Sequence, residues 1–303
     1  MLRPMSRTLQ ITLITLACIA LYIGWRSLPV EKCQFLHYGD YVNSEGVIEG
    51  CGYEETEFFD MSKIRFPVIA ELTPIGDPEL GRPLSCTLTL FTTTGKPIKW
   101  EEIAVSHTER IHAMVVDQSL QDYQHVHPQP AGPAGYYMLE VIPQRPGPYT
   151  VYLDFIPLIT SRRTLVATGF SVPGEPERPE PASRLEYLTG NFQMNWIPDH
   201  KELIAGQDLT FRLEVKTRDG SPTRFEPVMD SYAHVVAFDE ADTGFAHMHP
   251  RNPFVEGQDP LHPDLHFTFR FEEPGYYRVW AQFIVNGEHL FAPFDLIVKN
   301  EHA

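Results

Sequence analysis

The chain has 303 residues, which is enough for two domains of ordinary size. Its formal net charge is -16, from 24 basic and 40 acidic residues. Such a charge repels the phosphates of nucleic acids and anionic lipid surfaces, and no basic stripe interrupts it, so we exclude nucleic acid as a partner. The 27 prolines and an aromatic content of 12% are typical of short strands joined by tight turns.

An apolar segment lies near the N-terminus, between Leu9 and Trp25. Two arginines precede this segment and no acidic residue stands before Glu31, so the positive-inside rule predicts a cytoplasmic N-terminus and an exported remainder. The apolar run continues past Cys18 and does not end in a small-x-small cleavage site. This favours an uncleaved membrane anchor, residues 1–28, over a cleaved signal peptide or a lipoprotein signal.

Two cysteines lie in the segment that follows, residues 29–62. Cys33 and Cys51 close a short loop rich in Gly, Tyr and Asp. Because the oxidising environment outside the cytoplasm favours disulfides, we expect these two cysteines to be bonded to each other. The alternative is a metal site formed by the two cysteines and His37.

An internal repeat is the strongest signal in the sequence. Residues 81–97 align without a gap with residues 206–222, and the closing segments 146–155 and 274–283 also align. Alternating Pro and Glu between the copies favour an extended connector that keeps the repeats apart. The predicted segments are the anchor (1–28), the cysteine-containing segment (29–62), repeat one (63–173), the linker (174–184) and repeat two (185–300).

Each repeat contains strand-like segments in which apolar and polar residues alternate, such as residues 209–215 and 276–284. Turn signals separate these segments at the spacing expected of a two-sheet sandwich. We therefore predict an all-β fold, with two tandem immunoglobulin-like or cupredoxin-like β-sandwich domains after the N-terminal membrane anchor helix. Periodicity alone does not distinguish these two kinds of sandwich.

Both repeats carry the same histidine pattern, His-x12-His-x-His-Pro. Residues i and i+2 of a strand point to the same face, and a hairpin would bring the first histidine beside the other two. Three imidazole nitrogens could then bind one metal ion, and an exported site favours copper, with zinc as an alternative. The predicted ligands are His112, His125 and His127 in repeat one and His234, His247 and His249 in repeat two.

Four other residues are candidates for additional ligands: Met114, Met248, His262 and His266. The alternation along the strand places Met248 on the face opposite its flanking histidines, which argues against it. Asp117 and Asp239 follow the first histidine strand of each repeat, where they could orient a metal-bound imidazole or cap a turn.

A blue-copper site needs a cysteine ligand, and neither repeat has a cysteine near its histidines, so carriage or buffering of the ion fits better than electron transfer. The sequence also lacks the common hydrolase and nucleotide-binding motifs, so we do not expect an enzyme, although an oxidase built on the histidines would be compatible. The alternative function is a non-catalytic structural or interaction protein of the cell envelope, in which the histidines hold corners of the sandwiches together.

The chain resembles the cupredoxin-like, YtkA-like extracytoplasmic domains that occur beside heavy-metal transport and copper-handling proteins. The resemblance rests on the segments 112–116 and 245–250 and on the closing Pro-Gly-x-Tyr strand of each repeat, and it does not cover residues 29–62. It implies an exported sandwich and a role in copper handling. Metal-transport or envelope proteins are then the expected partners, together with the membrane itself.

Overall fold

The computed structural model describes residues 6–26, 41–42, 48–49, 56–252 and 254–300. The predicted pair Cys33 and Cys51 lies outside these residues. Helix α1 (Arg7–Arg26) has no acidic residue in its first turn and is long and apolar enough to cross a membrane, by length and composition. The helix belongs to one compact unit of the chain, and both repeats belong to a second unit.

Four short strands precede the repeats: β1 (Tyr41–Val42), β2 (Ile48–Glu49), β3 (Thr56–Glu57) and β4 (Phe59–Asp60). Strands β1 and β2 pair with each other in an antiparallel hairpin. Strands β3 and β4 instead pair with strands of the second repeat, about two hundred residues later in the chain. The end of the predicted 29–62 segment therefore contributes edge strands to the second sandwich.

The first repeat is a sandwich of two four-stranded sheets, with the orders β5-β6-β10-β9 and β12-β11-β7-β8. A 3-10 turn, Trp100–Glu102, connects the two sheets. The core between the sheets includes Cys86, a free and fully buried thiol whose pKa burial raises to about 11. The strands are β5 (Val68–Pro74), β6 (Leu84–Thr92), β7 (Ile111–Asp117), β8 (Tyr123–Val126), β9 (Gln129–Pro130), β10 (Tyr136–Val141), β11 (Gly147–Phe155) and β12 (Thr164–Val172).

The second repeat is also a sandwich, and its sheets have the orders β13-β14-β15-β19-β3 and β16-β20-β17-β18-β4, with β21 paired to β20. In β15 the buried residues Leu209, Phe211 and Leu213 alternate with more exposed ones, as a strand covered on one face requires. The strands are β13 (Glu186–Thr189), β14 (Phe192–Pro198), β15 (Asp208–Thr217), β16 (Phe225–Glu226), β17 (His234–Asp239), β18 (Gly244–Met248), β19 (His266–Arg270), β20 (Gly275–Val285) and β21 (Glu288–Val298). The predicted all-β fold with two sandwiches is confirmed.

The two sandwiches pack against each other through the sheets that carry the histidines. A third apolar cluster, here called the interface core, joins residues of both repeats and is separate from the core inside each sandwich. It consists of Phe59, Met114, Val116, Leu120, Tyr123, Tyr152, Leu165, Val236, Phe238, Phe245, Tyr276 and Trp280. The expectation that the linker keeps the repeats apart is therefore wrong, because each histidine-bearing sheet has a second apolar face that the other repeat covers.

Strand β7 shows why the interface forms. All seven of its residues are buried, from Ile111 to Asp117. Ala113 and Val115 face the core of the first sandwich, whereas Met114 and Val116 alternate with them and face the second repeat. A strand that is apolar on both faces must be covered on both faces, and in this protein the second cover is the neighbouring repeat.

Candidate metal centre

The six predicted histidines lie on, or directly after, the strands of two hairpins. In the first repeat, β7 pairs with β8 so that Met114 stands opposite His125. In the second repeat, β17 pairs with β18 so that Val236 stands opposite His247. These positions are equivalent in the two repeats, and the hairpins bring the first histidine of each pattern beside the His-x-His pair, as the sequence predicts.

Each hairpin gathers its three histidines into a cluster that could hold a metal ion. The first triad is His112, His125 and His127, and the second triad is His234, His247 and His249. One ring nitrogen of each histidine lies within 4.8 Å of the corresponding nitrogens of the other two in its triad. A point therefore exists that lies roughly 2.8 Å or less from all three nitrogens. Only small movements of the rings would bring the nitrogens to the ~2.0–2.1 Å distance of a metal ion bound by imidazoles.

The far nitrogen of the first histidine in each triad is bonded to a backbone carbonyl. His112 Nε2 lies 3.0 Å from the oxygen of Ser106, and His234 Nε2 lies 2.9 Å from the oxygen of Val228. A carbonyl can only accept a hydrogen bond, so Nε2 carries the proton in both rings and Nδ1 carries the lone pair. These bonds orient Nδ1 of both rings toward the centre of the triad.

The middle histidine of each triad is bonded to a side chain of the other repeat. His125 Nδ1 lies 2.9 Å from Oε1 of Gln282, and His247 Nδ1 lies 3.4 Å from Oδ2 of Asp154. Both oxygens accept, so Nδ1 is the protonated nitrogen and Nε2 carries the lone pair, the reverse of the first histidine. The amide nitrogen of Gln282 lies 2.9 Å from Nε2 of His289, which is consistent with the amide oxygen facing His125.

The nitrogens that face the triad centres have no ordinary hydrogen-bond partner within the described chain. Nε2 of His127, His247 and His249 and Nδ1 of His234 are buried without a partner. His112 Nδ1 and His125 Nε2 face each other at 3.1 Å, although the bonds on their far sides give both atoms a lone pair. Two lone pairs at this distance repel each other unless a cation or a proton lies between them, and 3.1 Å suits two ligands of one metal ion.

Burial keeps these imidazoles uncharged. Desolvation, followed in most cases by the repulsion of neighbouring imidazoles, lowers the pKa of all six rings. For His127 the pKa falls to about 4. Neutral imidazole is the form that binds metal, so these rings do not need to lose a proton at neutral pH.

Four further residues, which the sequence analysis did not select, complete the centre: Gln282, described above, and Asp154, Arg163 and His107. Asp154 is paired with Arg163, whose Nε lies 3.0 Å from both carboxylate oxygens. Burial alone would raise the pKa of Asp154, but the Arg163 guanidinium and the hydrogen bonds from His247 and Arg163 hold it well below its usual range. His107, at the tip of a turn in the first repeat, lies with its ring centroid 3.8 Å from that of His249 in the second.

The signal for two of these residues was present in the sequence. Asp154 and Gln282 occupy the same position in the aligned closing strands, opposite the first histidine of each triad. Both are buried polar residues in strands composed mainly of apolar residues. His107 has no histidine at the equivalent position of the second repeat, which is Met229, so the repeat pattern could not identify it.

The other candidate ligands lie outside the triads. Met248 is buried in the core of the second sandwich, because it alternates with His247 and His249 along the strand, so its assignment as a ligand is wrong. His262 and His266 are bonded to Asp259 and Asp264 on the surface of the second repeat. His266 begins a strand of the sheet that lies across the sandwich core from the triad, so neither of these histidines lies with the triad.

Met114 lies on the face of β7 that carries His112, fully buried in the interface core. Its repeat equivalent is Val236, which cannot bind a metal ion. The two aspartates cap turns: Asp117 accepts bonds from the backbone of Gln121 and Asp122, and Asp239 does the same in its own repeat. The alternative role in orienting an imidazole is not what the structure shows.

A comparison with known protein families matches part of this chain. The family described as "Domain of unknown function (DUF8832)" matches residues 191–300, within the second repeat. No curated protein matches the chain at a significant level. The description of this family names no metal and no copper-handling role.

Three solved structures are distantly similar. A protein of Corynebacterium diphtheriae described as membrane anchored is 9% identical, with a TM-score of 0.22, and the match covers 75% of this chain and 57% of that one. The fibronectin(III)-like modules of CbhA from Clostridium thermocellum are 9% identical, with a TM-score of 0.20 and coverages of 76% and 95%. A DUF4785 family protein of Legionella pneumophila is 11% identical, with a TM-score of 0.24 and coverages of 75% and 55%. The match spans little more than half of the first and third proteins, and at these TM-scores the similarity carries no argument about function.

Proposed function

We propose that this chain is a membrane-anchored, extracytoplasmic protein that binds copper ions at its two histidine triads, for carriage or buffering of the metal and not for catalysis. The single observation that carries the proposal is the orientation of the rings. In each triad the protonated nitrogens of the first two histidines are bonded away from the centre, so that lone pairs converge on it. A purely structural role does not require this convergence.

Energetic considerations support the same proposal. A buried polar atom without a hydrogen bond costs about 1–3 kcal/mol, and this centre contains four such ring nitrogens within the part of the chain that the structure describes. Histidines that only held corners together would satisfy their second nitrogen or expose it to solvent. One cation bound in each triad would satisfy these atoms.

Copper is the metal that we propose, because the donor set consists of neutral imidazoles. Such a set suits Cu(II), Zn and Ni, and affinity at nitrogen sites is highest for copper in the divalent series. Zinc remains the alternative on the same ligands. The one buried free cysteine among the described residues, Cys86, lies in the core of the first sandwich and does not face the triad, which is consistent with a role other than blue-copper electron transfer.

The cellular location is part of the proposal. Helix α1 could anchor the chain, and the arginines before its apolar segment favour export of everything that follows. The resemblance to YtkA-like extracytoplasmic domains supports the same arrangement. Metal-transport or envelope proteins are the proposed partners, because a protein that carries copper must receive it from and deliver it to other proteins.

Copper titration of the full-length chain in detergent, purified without added metal or a histidine tag, tests the proposal. We expect two equivalents of Cu(II) to bind per chain, one at each triad. The double substitution His125→Ala/His127→Ala should reduce the stoichiometry to one. The matched control is His262→Ala/His266→Ala, which removes two surface histidines and should leave two equivalents.

The proposal fails if the wild-type chain binds no copper or zinc above the level of the triad-deleted protein. A stoichiometry that falls equally in the control variant would also contradict it, because the surface histidines would then account for the binding. If the histidines only hold the fold together, the triad substitution should instead lower the melting temperature of the metal-free protein without any change in metal content.

A further inference from the structure

The two triads face each other across the interface between the repeats. The ring of His247 lies with its centroid 5.6 Å from His112 and 5.4 Å from His125, and His125 lies 6.1 Å from His234. These separations are similar to those between rings of the same triad, which run from 4.4 to 5.9 Å. Because a metal ion lies about 2 Å from each nitrogen that binds it, ions in the two triads would be within roughly 12 Å of each other.

Each triad is also completed by the other repeat. Gln282, on β20 of the second repeat, accepts the hydrogen bond that orients His125 of the first triad. Asp154, on β11 of the first repeat, accepts the bond that orients His247 of the second triad. Gln282 is 3% exposed and Asp154 is 6% exposed, so water does not readily replace either partner.

The two hydrogen bonds between the repeats follow the internal repeat of the sequence. Asp154 stands opposite His112 in the sheet, and Gln282 stands opposite His234. The partners of the two residues are also equivalent. Arg163, just before β12, and His289, on β21, each lie two residues before the residue that pairs with Asp154 or Gln282. Each repeat therefore accepts one hydrogen bond from a histidine of the other repeat, and both bonds exist only where the two repeats are packed together.

We infer that the two triads are the halves of one dinuclear metal centre, in which each repeat positions a ligand of the ion bound by the other. The inference rests on the proposed function, because it concerns the same histidines. It goes beyond that function in one respect: neither metal site is complete in an isolated repeat. Gln282 and Asp154 are positioning residues that act through His125 and His247.

The charges around the centre predict how the two ions affect each other. The rings are neutral, and the carboxylate of Asp154 is compensated by the guanidinium of Arg163. Two divalent ions in this buried centre would therefore repel each other with little nearby negative charge to offset the repulsion. We expect the second Cu(II) to bind at least about tenfold more weakly than the first.

Electron paramagnetic resonance of the full-length protein during a Cu(II) titration tests the inference. Below one equivalent, we expect the spectrum of isolated Cu(II) with nitrogen ligands. At two equivalents, dipolar coupling between the ions should broaden the spectrum and produce a half-field transition. In the variant His125→Ala/His127→Ala, the coupled signal should be absent while one equivalent of copper still binds.

Three results would overturn the inference, and they are distinguishable from failure of the proposed function. Two bound equivalents with the summed spectra of isolated ions would show two remote sites, and the proposed function would stand. One equivalent in the wild-type chain would show a mononuclear centre. If the protein binds no copper at all, both proposals are overturned together.

The positioning role of Gln282 is tested in the background His247→Ala/His249→Ala, which keeps the first triad alone. There, Gln282→Leu in the second repeat should weaken copper binding roughly 10- to 100-fold and change the nitrogen hyperfine pattern of the bound ion. The control is Gln193→Leu, on the sheet of the second repeat that lies away from the centre, which should change neither value. If Gln282→Leu leaves the affinity and the hyperfine pattern of this background unchanged, the role of Gln282 in orienting His125 is contradicted.

Discussion

The ion pair of Asp154 and Arg163 shows how a single residue connects the fold to the centre. Its carboxylate receives a hydrogen bond from His247, two bonds from Arg163 Nε and one from the other end of the guanidinium. The Arg163 guanidinium in turn lies over the ring of Phe59, 4.8 Å from its centroid. A change at Asp154 therefore affects the ring orientation of a proposed ligand and leaves a largely buried cation without its counter-charge.

The substitution Asp154→Ala should destabilise the metal-free protein by about 3 kcal/mol, because the Arg163 charge would remain buried without its partner. Urea denaturation measures this change. Asp259→Ala is the matched control, because Asp259 pairs with His262 on the exposed surface, and it should have no measurable effect. Equal stabilities of the two variants would show that the Asp154 ion pair does not stabilise the fold.

Much of the centre could be predicted at the level of residues, and the remainder could not for a physical reason. The repeated spacing of the six histidines predicts two clusters, because strand geometry alone brings residues i and i+2 to one face. Gln282 acts on His125 from 157 residues away in the sequence. No local pattern reports a contact of that kind, and only the polar residues in aligned apolar strands indicate it.

Among the elements, the turns before β7 and β17 hold the backbone in an unusual conformation. Ser106 and Glu109 exchange both backbone hydrogen bonds around the turn residues His107 and Thr108, whose φ angles are 50° and 70°. The equivalent turn in the second repeat contains Met229 and Asp230, at 48° and 55°. Two residues at positive φ are the requirement of a tight type I′ turn, which glycine and asparagine satisfy more easily.

Thr108→Gly should stabilise the protein by roughly 1 kcal/mol, because a β-branched residue is strained at positive φ and glycine is not. Thermal unfolding measures the gain. The matched substitution Asp230→Gly should give a smaller gain, since aspartate adopts this conformation more readily than threonine. The explanation is wrong if Thr108→Gly lowers the melting temperature or if the two substitutions change it by the same amount.

The hairpins of the two repeats were predictable from alternation and turn signals, but the pairing of β3 and β4 was not. These strands are two residues each, and their partners β19 and β18 lie in the second repeat. Such short segments carry no periodicity of their own, because they become strands only when an existing sheet edge supplies the hydrogen bonds. Strand β7 did carry a signal, since its continuous apolar run is typical of a strand covered on both faces.

In the whole molecule, the interface core makes the two repeats depend on each other. Phe238 of the second repeat packs against Tyr123 and Tyr152 of the first, with ring centroids 5.5 and 5.9 Å apart. Arg278 and the Trp280 indole of the second repeat also donate hydrogen bonds to the backbone oxygen of Leu120. These contacts bury aromatic rings that would otherwise be exposed, at a gain of roughly 1.5–3 kcal/mol for each.

Phe238→Ala should lower the free energy of unfolding by about 3–5 kcal/mol. It should also weaken copper binding at both triads, because the histidine rings of both triads are held at the interface between the repeats. Phe267→Ala is the matched control. Phe267 is equally buried, but it lies in the core inside the second sandwich. We expect the control to cost as much stability while leaving the first triad's affinity unchanged under conditions where the protein is folded. Calorimetry and copper titration check the two expectations, and similar effects of both variants on the first triad would contradict the account.

The most direct test of the account is an anomalous-difference map at the copper absorption edge from crystals of the full-length protein grown with Cu(II). We expect two peaks, one within about 2 Å of a ring nitrogen of each of the three histidines in the first triad and one in the same relation to the second. Peaks confined to surface histidines such as His262 and His266, or none at either triad, would contradict the claim that these histidines bind metal.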